Sequence, residues 1–147
     1  MNADSETIAP TGECSKAFAQ RDFGKPMATV LVVEDDPNER MLYEEELREA
    51  GYGVITAPDG AGALALAQST HPDVVVIDIS MPGMDGIEVM NRMLARDHKL
   101  PIIINTAYAS YRDDFRAWSA DAYVVKSSDL SELKETIGRV LEKRGKG

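Results

Sequence analysis

Residues 74–86 read VVVIDISMPGMDG, and this stretch decides the fold. Val74 to Ile77 are four β-branched residues in an unbroken run that leads straight into Asp78. A continuous apolar run of this length suits a strand covered on both faces, as in a parallel sheet. A carboxylate has no low-cost place inside such a strand, so Asp78 marks its end, where water or a cation can share the charge. Met81-Pro82-Gly83 then breaks the strand, and Asp85-Gly86 turns the chain into a segment of helical apolar period. The carboxyl edge of a central parallel strand is where open α/β sheets bind ligands. A loop aspartate that merely starts a turn is the plainer reading of Asp78 taken alone.

The same alternation extends outward on both sides. Upstream, Thr29–Val33 (TVLVV) is a second buried strand, and it runs into Glu34-Asp35-Asp36 and Pro37. Proline and acids both suit the first turn of a helix. That helix runs to about Ala50, with Met41, Leu42 and Leu47 expected inward, and Gly51 stops it. Tyr52–Ala57 is a strand, and Ala61 to about Ser69 a helix with Leu64 and Ala67 inward. Downstream of Asp78, Gly86–Ala95 is a helix that faces inward with Ile87, Met90 and Leu94. A strand over Pro101–Asn105 closes on Thr106, a helix follows from Ser110 to about Trp118, and Ala122–Val125 forms a short strand ending at Lys126. The last helix is capped by Asp129, with Glu132 three residues on as a capping box, and turns Leu130, Leu133, Ile137, Val140 and Leu141 to the core. Five strands alternating with five helices predict an α/β fold, a doubly wound five-stranded parallel sheet with right-handed crossovers.

The chain has 147 residues, enough for one domain with a real core. Residues 1–27 show no apolar period and read as a flexible N-terminal extension ahead of a folded domain over 28–144. Met27 sits just before the first strand, where the original start could lie, with the upstream residues an alternative start or a leader. No apolar run approaches the ~20 residues a membrane helix needs, and MNADSETIAP lacks the parts of a signal peptide, so a cytoplasmic home is expected. A single cysteine and two histidines exclude an internal disulfide and the usual zinc site. The net charge of −9 repels phosphate backbones, which argues against nucleic acid and favours divalent cations and basic protein surfaces.

Placed side by side, the strand ends deliver Glu34, Asp35 and Asp36, then Asp78, Thr106 and Lys126 to one edge of the sheet. Carboxylates crowded in one cleft repel one another unless a cation joins them. Mg²⁺ suits one or two carboxylates with a phosphate oxygen and waters. Lys126 supplies a fixed positive charge, and Thr106 one hydroxyl donor. Together they would form a socket for a phosphoryl group on Asp78, a carboxylate being able to act as the nucleophile. Taken singly, the acids also read as helix-capping residues, Thr106 as a plain strand-end residue and Lys126 as a solvated lysine. Their joint occurrence at these strand ends favours the socket.

With these residues laid out, the chain resembles the receiver domain of bacterial two-component response regulators over residues 28 to about 143. The matching pieces are VLVVEDDPNER, VVVIDISMPGMDGIEVM, PIIINTAY and DAYVVK. The resemblance implies a flavodoxin-like strand order, 2-1-3-4-5. It implies Asp78 as phospho-acceptor, taking its phosphoryl group from a histidine kinase or phosphotransfer protein with Mg²⁺ (or Mn²⁺). Asp35 would bind the metal directly, Glu34 through water, and the Ser80 carbonyl would complete the protein ligands, with Asp36 not a ligand. Thr106 would be the switch hydroxyl, Lys126 the phosphate-binding lysine, and Tyr123 the aromatic that swings inward. Ser80 and Tyr108 lie two residues past Asp78 and Thr106, where the family tunes the rate of phosphoryl loss. Two departures stand out. Ser127 follows Lys126 where the family usually has proline, so a trans bond is expected there. Ser119 stands where it usually has glycine.

The implied output is a change in the face made by the predicted fourth helix, the fifth strand and the last helix, controlling a protein partner. Tyr108, Tyr111, Phe115, Trp118 and Tyr123 place five of the nine aromatics between residues 108 and 123, with Arg112 and Arg116 among them. Aromatics and arginine are enriched at interfaces, although Phe115 and Trp118 also read as core. A monomer or weak homodimer is expected, with no catalysis beyond its own phosphorylation and dephosphorylation. Nothing after the last helix reads as an effector domain. Phosphorelay intermediate, or receiver fragment of a larger regulator or hybrid kinase, are the alternative outputs. A flavodoxin would need a Ser/Thr/Gly-rich loop where Glu34-Asp35-Asp36 stand. A haloacid-dehalogenase-like phosphatase would need an aspartate in place of Ser80.

Overall fold

The computed structural model describes residues 28–79, 86–107, 120–127 and 129–146. These residues form β1 (Thr29–Val33), α1 (Pro37–Glu49), β2 (Gly53–Ala57), α2 (Gly60–Thr70), β3 (Val74–Ile77), α3 (Gly86–Arg96), β4 (Ile102–Thr106), β5 (Ala122–Val125) and α4 (Ser131–Lys146). The five strands make one sheet of order β2-β1-β3-β4-β5, and every pairing is parallel. Each strand and described helix expected from the sequence is present to within a few residues. The expected N-terminal extension, the helix over 110–118, Ser80 and Ser119 lie outside the described residues.

The β-branched runs give the sheet two apolar faces because successive side chains alternate. Leu31, Val33, Val75, Ile77, Ile102 and Ile104 meet α2 and α3 through Ala63, Ile87, Met90 and Met93. Val30, Val32, Val74, Val76 and Ile103 meet α1 and α4 through Tyr43, Leu47, Leu133 and Ile137. The register explains the layering: Leu31 pairs with Val75, and Val75 with Ile102, so one row crosses three strands. Among the described residues no helix is long and apolar enough to cross a membrane.

Helix α1 corrects one expectation. Met41 and Leu42 point to solvent, 53% and 41% exposed, while Tyr43 and Leu47 are buried. Residues four apart share a helix face, so fixing Tyr43 and Leu47 inward also turns Glu39 inward and rotates Met41 and Leu42 out. Gly51 ends this helix as expected, at φ 103°, where a side chain would be strained.

The cap of α4 differs in detail from a capping box. Asp129 Oδ1 accepts from the Ser131 N–H at 2.9 Å and from its hydroxyl at 2.7 Å. The Asp129 N–H donates to Ser127 Oγ at 3.2 Å, the bond that the box would have given to Glu132. No peptide bond is cis among the described residues, so Lys126–Ser127 is trans.

Candidate functional site at the carboxyl edge of the sheet

Strand register carries the polar residues to one place. Val33 pairs with Ile77, so Glu34 and Asp78 leave neighbouring strands together, and the Asp78 N–H donates to the Val33 carbonyl at 3.1 Å. Ile77 pairs with Ile104, which brings Asn105 and Thr106 out beside Asp78. Thr106 pairs with Val125, and the Lys126 N–H donates to the Thr106 carbonyl at 2.7 Å. On the far side of Asp78, the Gly86 N–H at the start of α3 donates to the Ile79 carbonyl at 3.2 Å.

Lys126 is the hub. Its Nζ lies 2.8 Å from Glu34 Oε1, 2.9 Å from Asp78 Oδ2 and 2.7 Å from Glu39 Oε1. Glu34 is 2% exposed and Asp78 6%, so both carboxylates are held almost out of water. Burial alone penalises such charges, and a close cation with good hydrogen bonds offsets the penalty. Burial pushes the Glu34 carboxyl above its ordinary range, against the hydrogen bonds from Lys126 and the Asp36 N–H that favour its charged form. For Lys126, burial works to lower the pKa, but hydrogen bonds to Glu34, Glu39 and Asp78 outweigh it and hold the ammonium well above its ordinary range. Lys126 is therefore a fixed positive charge at any ordinary pH.

The acids divide their work. Oxygens of Glu34, Asp35 and Asp78 all lie within 4.8 Å of one another, a grouping able to hold a hard cation. Asp36 instead caps α1, accepting from the N–H groups of Asn38 at 2.8 Å and Glu39 at 3.2 Å. Thr106 is fully buried, and its Oγ1 has no hydrogen-bond partner among the described residues. An orphaned buried hydroxyl is uncommon and points to a ligand oxygen that completes it. Tyr123 is half-buried and packs against the core layer beside α2 and α3. Ser80, Tyr108, Tyr111, Arg112, Phe115, Arg116 and Trp118 lie outside the described residues.

Sequence reading missed three groups at the site. Glu39 reaches Lys126 from α1. Arg40 Nη1 donates to the Glu34 carbonyl at 2.8 Å and to the Asp35 carbonyl at 3.4 Å, clamping the acidic turn. Tyr43 is buried beneath them, its hydroxyl 3.5 Å from Glu39 Oε1. Burial raises the pKa of that hydroxyl, and a hydrogen bond with Asn105 works the other way. The available signal was helical spacing, since Glu39 and Tyr43 follow Asp35 at successive steps of four.

Comparison with known proteins agrees with this geometry. The family model described as response regulator receiver domain matches residues 30–138. The transcriptional regulatory protein PrrA of Mycobacterium leprae is 39% identical over 126 residues, covering 84% of this chain and 54% of that protein. The chain thus spans about half the length of these curated relatives. The response regulator protein TrrA of Thermotoga maritima, crystallised in complex with Mg²⁺ and BeF, is 45% identical, with 78% of this chain and 99% of that one covered and a TM-score of 0.76. The same protein in complex with the histidine kinase ThkA gives 45% identity, the same coverage and a TM-score of 0.74. With most of its length matched to the family model, its sheet in the order 2-1-3-4-5 and its acids and lysine gathered at the carboxyl edge, the chain belongs to the response regulator receiver domain family.

Proposed function

We propose that this receiver is a phosphoryl-accepting signalling switch in which Asp78 is the acceptor. One observation carries the reading: the Asp78 carboxylate has a lysine ammonium 2.9 Å away and two further carboxylates beside it. Glu34, Asp35 and Asp78 offer the all-oxygen donor set that Mg²⁺ prefers, and the Ser80 carbonyl is the expected further ligand. Bound Mg²⁺ would neutralise charge on the transferring oxygens. Asp78 attacks the donor's phosphorus; an O–P bond forms as the bond to the donor breaks, and the leaving group keeps the electron pair. Lys126 balances one phosphoryl oxygen, and Thr106 donates its hydroxyl to another. Water attack later returns free phosphate and restores Asp78.

The donor is a histidine kinase or phosphotransfer protein, consistent with the kinase-bound relative. Movement of Thr106 toward the phosphoryl group leaves room for Tyr123 to turn inward, a covalent charge biasing a two-state element. The residues expected to contact a partner are Tyr108, Tyr111, Arg112, Phe115, Arg116 and Trp118, whose types suit a protein interface. The domain runs over residues 28–144 with residues 1–27 as an extension, and its setting is cytoplasmic.

Acetyl phosphate, a small phosphodonor, tests the reading. The protein takes up a phosphoryl group with Mg²⁺ present and loses that ability in excess chelator. Labelling that ignores the chelator would remove the role given to the acidic cluster.

A further inference from the structure

Three carboxylate oxygens crowd the Lys126 ammonium: Glu34 Oε1 at 2.8 Å and Asp78 Oδ2 at 2.9 Å accept its hydrogen bonds, and Glu39 Oε1 pairs with it at 2.7 Å. A lysine has three donors and no more. A phosphoryl oxygen arriving at Asp78 can therefore bond Lys126 only if one present partner lets go.

The partners differ in what release would cost. Glu34 is buried, and its other oxygen is already bonded to the Asp36 N–H at 3.1 Å, so freeing it would strand a desolvated charge. Asp78 is the acceptor itself and stays at the centre of the site. Glu39 sits on the first turns of α1 with its side chain 40% exposed, and among the described residues its carboxylate meets Lys126 and the more distant hydroxyl of Tyr43. It can turn into water at little cost. Glu39 also lies outside the three-carboxylate cluster, so a bound cation would not hold it in place.

From this geometry we infer that Glu39 is the exchangeable partner of Lys126: it keeps the ammonium aimed at Asp78 in the unmodified protein and surrenders its place beside the ammonium to the phosphoryl group. Glu39 is a positioning residue that acts through Lys126 and does not touch the transferred group. It sets how strongly the resting state resists acquiring the phosphoryl-bound form. The inference rests on the phosphoryl-accepting reading of Asp78.

Calorimetric titration of the full chain with beryllofluoride, at saturating Mg²⁺, separates the two. Glu39→Gln keeps the shape and removes the competing charge, and its affinity for beryllofluoride is expected to rise about threefold, the size of one partly exposed ion pair. Glu39→Ala behaves alike. Glu45→Gln, which removes a charge from the exposed face of the same helix, leaves the affinity at the wild-type value. Titration with Mg²⁺ alone shows no tightening in Glu39→Gln, a split that a merely structural role would not produce. Equal or weaker beryllofluoride binding by both Glu39 variants, with normal binding by the wild type, overturns the inference. Failure of the wild type itself to bind overturns the acceptor reading along with it.

Discussion

Lys126 Nζ lies 2.9 Å from Asp78 Oδ2, although 48 residues of sequence separate the two. The pair exists because β3 and β5 flank β4 in parallel and all three strands end at one edge. Its strength depends on what surrounds it. Glu34 competes for the same ammonium from the other side, and water is nearly excluded from both carboxylates. The resting site is a cation shared among more anions than it can neutralise, and that surplus gives a divalent metal its attraction.

Burial of these charges makes stability depend on pH. Glu34 has a folded pKa above its ordinary 4.5, chiefly because it is buried. Between that ordinary value and the raised one, the folded chain binds more protons at Glu34 than the unfolded chain does, so its contribution improves as pH falls through the window. Lys126 works at the other end, its raised pKa giving stability that is complete below the ordinary 10.5 and lost as pH climbs above it. Metal-free wild type should therefore gain stability relative to Glu34→Gln as pH is lowered from about 8 to about 5. Urea unfolding of both proteins across that range measures it, and a trend of opposite sign would contradict the burial account.

Thr106 offers a test in which stability and switching move apart. Its buried hydroxyl has no hydrogen-bond partner among the described residues, so Thr106→Val removes an unsatisfied group at nearly constant shape. The resting protein should be as stable as wild type or more stable by about 1 kcal/mol. Beryllofluoride should bind the variant more weakly, because the hydroxyl would otherwise meet the ligand. Loss of resting stability would mean that Thr106 already has a bond to lose.

Gly86 fixes the approach of α3 to the end of β3. A Cβ added there would stand 2.7 Å from the Asp78 carbonyl oxygen and closer still to the Ile79 backbone. Backbone atoms cannot swing aside as a side-chain tip can, so Gly86→Ala must displace either the helix or the segment carrying Asp78. A loss of about 2 kcal/mol is expected, the middle of the range for overpacking. Chemical denaturation supplies the value, and an unchanged midpoint would show that α3 shifts freely.

Much of this was legible because strong local signals coincide with tertiary position. Val74–Ile77 is β-branched without interruption and Val30–Val33 is apolar and buried throughout, which suits strands covered on both faces, so Asp78 and Glu34 had to fall at strand ends. Helix α1 was harder, because Met41 and Leu42 are apolar yet face solvent. Their hydrophobicity says nothing of helical phase, which is set by Tyr43 and Leu47 packing on the sheet and by Glu39 reaching Lys126. Glu39 itself was hidden for a related reason: its partner lies 87 positions away, and only the assembled edge brings them together. The capping signal at Asp129 was read correctly, but the competing hydroxyl of Ser127 could not be weighed without its position.

The central claim is that Asp78 carries the phosphoryl group, and mapping the modification tests it most directly. After treatment with acetyl phosphate and Mg²⁺, the acyl phosphate is reduced with borohydride and the modified peptide is identified by mass spectrometry. The account predicts one modified residue, Asp78, and no modification in Asp78→Asn. Asp78→Asn labelled to the wild-type level, or wild type labelled at another residue, would contradict it.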